Sequence, residues 1–163
     1  MLAYAPTGVN APSVHLSLVA TRRKMDEIRQ ITCDCLKTVR ADSPLFIIKE
    51  MAEASSKVGK DLVYRGAPAL VAASVDTKTA ASVCQTVDPV IALSYLELYA
   101  ASLGLGTVWD GIAVALAREF PEIEAQFQIP QGCKLSFLMA LGIPDISYQR
   151  TPQRTTDRIT IIR

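Results

Sequence analysis

Residues 88–111 constrain the fold most, because the first part of this segment, up to residue 103, is apolar on nearly every face. After Asp88, Glu97 is the only charged residue in that part. A helix that is apolar all round is buried on all sides, either in a large core or at a subunit interface. We expect it to begin at Thr86 or Asp88 and to end before Gly104, since glycine readily adopts the left-handed conformation of a C-cap.

A short strand and a turn are expected after this helix. Residues 107–109 have strand character, Asp110 and Gly111 predict a turn, and residues 112–118 begin a second helix. A buried helix would therefore lead through glycines into a strand, with an exposed main-chain turn at the far end. This geometry suits a planar ligand that lies against main-chain amides, although the pattern alone is weakly specific.

Length and composition limit the classes of protein to which this chain can belong. With 163 residues, 50% of them apolar and 20% charged, we expect one globular domain, residues 1–163, without an internal linker. The net charge of +1 predicts no nucleic-acid partner and no attraction to a membrane surface. The longest apolar run, residues 67–75, is too short to span a bilayer, and residues 1–8 lack a signal-type core. The expected location is the cytoplasm.

The cysteines and the one histidine do not predict a metal site. Cys33 and Cys35 have one residue between them, which matches neither a zinc knuckle nor a C-x-x-C redox pair. Cys84, Cys133 and His15 are scattered, so we expect no bound metal and reduced, mostly buried thiols. The sequence also lacks the Walker, GxGxxG, GxSxG and HExxH motifs.

The remaining periodicities predict an α+β fold (α/β by looser usage), in which helices cover a small sheet. The continuous apolar character of two strands predicts central positions, covered on both faces. Strands are expected at residues 14–20, 68–75 and 134–143. Helices are expected at residues 21–39, from 45 to about 59, near 78–83, at 112–119 and at 121–127. A terminal strand at residues 158–163 has no obvious partner within the chain, and such strands often pair with another subunit.

Three sequence blocks, in order along the chain, resemble the nitroreductase family of FMN-dependent oxidoreductases. The first is Ala3-Tyr-Ala-Pro-Thr-Gly-Val-Asn10, and the second is Arg65-Gly-Ala-Pro68 followed by residues 88–111. The third is Leu138-Met-Ala-Leu-Gly-Ile-Pro144, followed by the basic residues 150–154. The blocks occur in the family's order and at roughly its spacing, so together they are specific.

The resemblance implies a three-layer fold that forms an obligate homodimer with two FMN sites at the subunit interface. The helix that starts near Asp88 would line that interface, and the strand at residues 158–163 would be exchanged with the partner. The loop containing Pro6, Thr7, Gly8 and Asn10 would approach the flavin from the other subunit.

The resemblance also assigns residues to the flavin ring and its phosphate. Asp88 and Ile91 match helix positions that face the isoalloxazine ring. Asp110 and Gly111 match the turn whose backbone N–H reaches flavin N5.

Two basic residues of the tail match the family's phosphate-binding positions. Arg150 and Arg154 would hold the FMN phosphate, because an arginine makes charge-assisted, often bidentate contacts with phosphate.

The implied activity passes hydride or electrons from NAD(P)H, through the flavin, to a quinone, a nitroaromatic compound or a similar acceptor. The acceptor pocket would be built by the variable region at residues 41–61, and the sequence does not distinguish NADH from NADPH. The second block is most similar to a branch that is often fused to a ferredoxin-like module, so an iron–sulfur protein is an alternative electron donor.

Two departures from the family pattern open a second hypothesis. The family's N-terminal helix with an R-R-S-x-R motif is missing, and Pro12 stands where the family usually has glutamine. The chain is therefore either a fragment of a longer enzyme or a diverged, non-catalytic dimeric protein of the same fold with weak or no FMN binding.

Several candidate residues also have ordinary structural interpretations. Asn10 is a typical turn residue and Asp88 a typical helix cap. Arg150 and Arg154 fit a solvated basic tail, and Trp109 is expected to pack in the core.

Overall fold

The computed structural model describes residues 4–147, 149, 150, 160 and 162. Its four strands form one sheet in the order β1-β2-β4-β3, and every neighbouring pair is antiparallel. The strands are β1 (Val14–Val19), β2 (Ala69–Asp76), β3 (Gly106–Trp109) and β4 (Cys133–Gly142). The α-helices are α1 (Arg22–Thr38), α2 (Phe46–Lys57), α3 (Val87–Ser102), α4 (Gly111–Glu119) and α5 (Pro121–Glu124).

The two predicted central strands, β2 and β4, do occupy the middle of the sheet. Their pairing runs from Ala69 opposite Leu141 to Asp76 opposite Cys133. All residues of β2 from Leu70 to Val75 are buried, which is the burial expected of a strand covered on both faces.

Side chains of β2 alternate between two cores on the two sides of the sheet. Leu70 and Ala72 join the larger core, which α1, α4 and α5 cover. Val71 and Ala73 join the smaller core with Leu93 of α3. The sheet therefore lies between helices on both faces, and the predicted α+β, three-layer arrangement is confirmed.

The ends of the helices agree with the sequence signals at several points. The hydroxyl of Thr21 accepts a hydrogen bond from the N–H of Lys24 at 3.2 Å and caps α1. Gly104, with φ +76°, follows the end of α3, and Pro121 opens α5. The helix predicted near residues 45–59 is α2.

The prediction of a helix near residues 78–83 is wrong. The carboxylate of Asp76 instead accepts hydrogen bonds from the N–H of Lys78 at 2.8 Å and the hydroxyl of Thr79 at 2.7 Å. Such side-chain bonds compete with helical backbone bonds and hold this segment in a turn. One short 3-10 turn follows at Ser82–Cys84.

Within one chain, α3 is not buried on all sides. Ala92, Leu93 and Ala100 are buried, but Leu98 is 73% exposed and Tyr99 is 50% exposed. Sequence alone left a core and a subunit interface as alternatives, and the single chain leaves this apolar face uncovered.

The cysteine thiols are less buried than expected. All four cysteines are free, but Cys33 is exposed and the other three are half-buried rather than buried.

The expected terminal strand at residues 158–163 lies outside the described residues except for Thr160 and Ile162. No helix in the described part of the chain is long and apolar enough to cross a membrane.

A carboxylate joins α3 to the strand that follows it. Glu97 accepts hydrogen bonds from the indole N–H of Trp109 at 3.0 Å and the hydroxyl of Thr107 at 3.3 Å. Trp109 also packs edge-on against Phe137, with ring centroids 5.3 Å apart, so its expected packing role is confirmed.

We expect Glu97→Ala to lower the free energy of unfolding by about 2 kcal/mol, because it removes a charged acceptor and leaves the half-buried indole N–H of Trp109 unpaired. Urea unfolding at one protein concentration measures the change. Glu119→Ala, at the exposed end of α4, is the control and should change stability by less than about 0.5 kcal/mol. Equal losses in the two variants would contradict a specific role for Glu97.

Candidate functional site

The N-terminal loop is tied to the first turn of α3. The N–H of Gly8 donates to both carboxylate oxygens of Asp88, at 3.1 and 3.0 Å, and Asp88 is buried. A carboxylate is also favourable at this position because the helix N-terminus carries a partial positive charge. Asp88 makes no bond as a cap in the described structure but anchors the loop. The predicted loop and the start of α3 are therefore in contact and together form the first part of the site.

The loop approaches the 3-10 turn before α3 so closely that a side chain larger than that of glycine does not fit at position 8 without a shift. A Cβ on Gly8 would lie 2.1 Å from Sγ and 2.7 Å from Cβ of Cys84. Two residues with left-handed φ follow, Val9 at 51° and Asn10 at 54°. This conformation is unfavourable for a β-branched residue, and such strain is often found at functional sites.

The loop presents its other predicted residues to the outside. Pro6 and Asn10 are exposed and Thr7 is half-buried. The N–H of Asn10 donates to the carbonyl of Thr7 at 3.1 Å, so Asn10 does belong to a turn. Ile91, three residues after Asp88 on α3, is half-buried and occupies a neighbouring position on the same helix face.

The second predicted part of the site is the turn between β3 and α4. The N–H of Asp110 donates to the carbonyl of Leu138 on β4 at 2.9 Å, and its Oδ1 accepts from the N–H of Ala113 at 2.9 Å. Asp110 therefore caps α4, and these two bonds fix the position of the main chain at Gly111.

Gly111 faces open space. It is exposed, and a Cβ added there would meet no atom within 4 Å. Its N–H lies in the first turn of α4, where no acceptor exists within the helix. The turn therefore offers a main-chain donor beside an empty surface, which a planar, polar ring can occupy.

The carboxyl group of Asp110 is strongly perturbed. Burial raises its pKa from 3.8 to about 6, while the Ala113 amide and the charge of Arg65 lower it in part. The charge of Asp61 raises it further. Its Oδ2 is buried and has no hydrogen-bond partner in the described part of the chain. A buried polar atom without a partner is uncommon and fits a position beside a ligand.

The two parts of the site are separate within one chain. The loop precedes β1 and the turn follows β3, and these strands are the opposite edges of the sheet. In the described residues, no hydrogen bond or ion pair joins the Gly8–Asp88 pair to Asp110.

The predicted phosphate-binding residues are placed only in part. Arg150 is exposed and makes no ion pair within the described residues, and Arg154 lies outside them. The same described residues contain no group of three or more His, Cys, Asp or Glu side chains that could hold a metal ion.

Sequence reasoning missed the charges that surround Asp110. Arg65 has a left-handed φ of 56°, and its charge acts on the Asp110 carboxyl. Asp61 accepts hydrogen bonds from Arg29 and from the N–H groups of Tyr64 and Gly66. Arg65 was visible in the second sequence block, but the fold alone brings it toward Asp110.

Comparison with known proteins identifies the family. The model of the nitroreductase family matches residues 2–143. The chain belongs to the nitroreductase family. No curated protein matched the sequence.

Solved nitroreductase structures share the fold. A nitroreductase from Bacteroides fragilis with bound FMN is 22% identical, with a TM-score of 0.76 over 99% of this chain and 82% of that one. A nitroreductase from Desulfitobacterium hafniense, also with bound FMN, is 21% identical, with a TM-score of 0.71 and the same coverage. An iodotyrosine deiodinase bound to FMN and 3-iodo-L-tyrosine is 21% identical, with a TM-score of 0.61 over 99% and 81% of the two chains. At these identities the likeness establishes the fold.

We expect Gly8→Ala to lower the free energy of unfolding by roughly 1–3 kcal/mol, because its Cβ would overlap Cys84. Gly111→Ala is the matched control, because the added methyl group meets open space; its stability should be unchanged or up to about 1 kcal/mol higher. Thermal and urea unfolding at one protein concentration measure both changes. A destabilised Gly111→Ala with an unaffected Gly8→Ala would refute this placement of the two turns.

Asp110 should make stability depend on pH. Its pKa is higher in the folded protein, about 6, than the ordinary value of 3.8, so the folded state binds an extra proton between these values. The contribution of Asp110 to stability therefore falls as pH rises from about 4 to about 6. Asp110→Asn keeps the cap oxygen and removes the charge, so its stability relative to the original chain should rise over that interval.

Asp76→Asn is the control for this pH dependence. The Thr79 hydroxyl and the Lys78 amide lower the pKa of Asp76, so this variant should lose relative stability as pH rises toward about 4. Unfolding free energies measured from about pH 2 to about pH 8 test the pair, because the change expected for Asp76 falls below its ordinary pKa of 3.8. A flat difference for Asp110→Asn would show that Asp110 has an ordinary pKa.

Proposed function

We propose that this chain is an FMN-dependent oxidoreductase that transfers hydride or electrons from NAD(P)H to a quinone, a nitroaromatic compound or a similar acceptor. The observation that carries the proposal is the turn at Gly111, where a fixed main-chain donor borders open space in a protein of the nitroreductase family. The FMN bound to the two nitroreductase neighbours supports the choice of cofactor.

The turn after β3 would hold the flavin ring through the main-chain N–H of Gly111. Asp110 keeps that amide in place through its bonds to Leu138 and Ala113. The flavin supplies the hydride chemistry when it is bound, and the protein supplies position and polarity. The unpartnered Oδ2 of Asp110 and the empty space at Gly111 both fit such a ring.

The loop at Pro6, Thr7, Gly8 and Asn10 would complete the site from a second subunit, together with Asp88 and Ile91. Support comes from the separation of the two parts, since they flank opposite edges of the sheet. A complete site made of both parts then needs two chains, and we propose a homodimer.

The uncovered face of α3 supports the same proposal. Tyr95, Leu98, Tyr99 and Leu103 are 40%, 73%, 50% and 60% exposed. Large apolar side chains grouped on one helix are typical of a protein interface. The partner subunit is the occupant proposed for this face.

The phosphate of FMN would be held by the tail. The guanidinium of Arg150 is exposed and lacks an ionic partner in the described residues, so it is available to an anion. Arg154 would act beside it, since guanidinium groups make strong charge-assisted bonds to phosphate.

The proposal is tested by FMN retention and oligomeric state. Purified protein is incubated with FMN, desalted, and examined by visible absorbance and analytical ultracentrifugation. We expect a yellow dimer. A folded, colourless dimer would contradict the enzyme proposal and favour the non-catalytic alternative.

The interface is tested by a charge on α3. Leu98→Glu places a carboxylate on the exposed apolar face, so it should give a monomer that retains no FMN. Val58→Glu is the control: Val58 is 69% exposed after the end of α2, and the variant should remain dimeric and yellow. A Leu98→Glu monomer that retained FMN would refute a site shared between two chains.

The electron donor is tested by mixing the flavin-loaded protein with NADH or NADPH in a stopped-flow spectrometer. We expect bleaching of the flavin by one of them within seconds. Bleaching by a reduced ferredoxin and by neither nucleotide would contradict NAD(P)H and assign an iron–sulfur donor.

A further inference from the structure

We propose that the cleft between α1 and α2 binds a small amphipathic carboxylate, such as a medium-chain fatty acid. The cleft has a volume of about 610 Å³ and lies between these helices and residues 59–64. This volume is in the range of small-molecule sites in proteins. None of the residues proposed to contact FMN lines it, so the inference does not rest on FMN binding, although part of the lining belongs to the variable region at residues 41–61.

The cleft exists because α2 presents small side chains to α1. Ala52 and Ser56 line the cleft, whereas the large apolar side chains Ile47 and Met51 point to solvent and are 59% and 49% exposed. No residue of α2 is buried. The small inner side chains do not fill the space between the helices.

The first turns of α2 keep the helix in place beside the cleft. Phe46 and Ile48 pack against the larger core. The ammonium group of Lys49 donates to the carbonyls of Lys37, in the last turn of α1, and Val39, its C-cap, at 3.3 and 3.1 Å. The two helices are therefore held together at one end and separated further along, which makes a stable opening.

The floor of the cleft is apolar and needs no polar partner. Leu36 and Val63 are buried there. The hydroxyl groups of Thr32 and Tyr64 lie 2.7 Å apart and bond to each other. A ligand that reaches this floor therefore needs a hydrocarbon body.

The mouth of the cleft carries a positive charge that the protein does not neutralise. Among its lining cations, Arg29 is paired with Asp61 and Asp26, and Lys37 is paired with Asp34.

The two remaining lining cations provide the charge that would bind the ligand. Lys57 and Lys60 have no ion pair in the described residues. Of the two carboxylates that line the cleft, Asp61 is paired with Arg29, and Glu53 has no ion pair in the same residues. Two unpaired ammonium groups against one carboxylate favour an anionic head group on an apolar body.

Isothermal titration with decanoate and with decylamine tests the ligand class. We expect decanoate to bind the purified protein. Decylamine has the same hydrocarbon body and the opposite charge, and it should bind at least about tenfold more weakly. Equal affinities, or no binding of decanoate below its micelle concentration, would overturn the proposal.

Adjacent residues of α2 provide a matched pair of variants. Ala52→Trp fills the cleft and should lower decanoate affinity at least about tenfold, whereas Met51→Trp points outward and should change it less than about twofold. Circular dichroism confirms that both variants are folded. Equal affinities in the two variants would place decanoate elsewhere.

The charge requirement is tested without disturbing packing. Lys57→Gln with Lys60→Gln should lower decanoate affinity about tenfold, and Lys78→Gln, on an exposed turn, should leave it unchanged. Because these lysines are exposed, the result stands even where Ala52→Trp fails to fold. An unchanged affinity in the double variant would refute the carboxylate contact.

Independence from the flavin site is the last test. Decanoate affinity should be the same with and without saturating FMN, whether or not FMN binds. Displacement of decanoate by FMN would contradict a separate cleft and leave the FMN proposal intact.

Discussion

The pairing of β2 with β4 is the interaction on which the rest of the structure depends. These strands form the middle of the sheet and supply side chains to both cores. Each also positions part of the candidate site: the carbonyl of Leu138 on β4 accepts from the N–H of Asp110, and the N–H of Asp76, at the end of β2, donates to the carbonyl of Ser13. The turn at Asp110 is therefore held by β4, and the segment that joins the N-terminal loop to β1 is held by β2.

In the proposed function, one chain carries two unlike halves of a binding site. One half is the loop that Asp88 anchors through Gly8, and the other is the main-chain turn that Asp110 fixes at Gly111. They flank opposite edges of one sheet, and α3 exposes an apolar face. A two-fold arrangement of chains accounts for all three features at once, since each subunit then gives a different half to each of two sites.

The sequence predicted the features that local patterns determine. Continuous apolar character placed β2 and β4 in the centre, and Thr21 and Gly104 marked helix ends correctly. Apolarity cannot distinguish a core from an interface, so the pattern of α3 left both as alternatives. The bonds of the Asp76 side chain overrode a helical pattern, and the environment of Asp110 arises only when distant segments meet.

Complementation between two defective chains tests the central claim, a site shared by two subunits, most directly. Asn10→Trp would block the loop half and Gly111→Trp the turn half, both at exposed positions. Each homodimer should lose FMN, whereas a heterodimer isolated with two affinity tags combines one intact turn with one intact loop and should retain about one FMN per dimer. A colourless heterodimer, or FMN retained by either homodimer, would contradict the shared site.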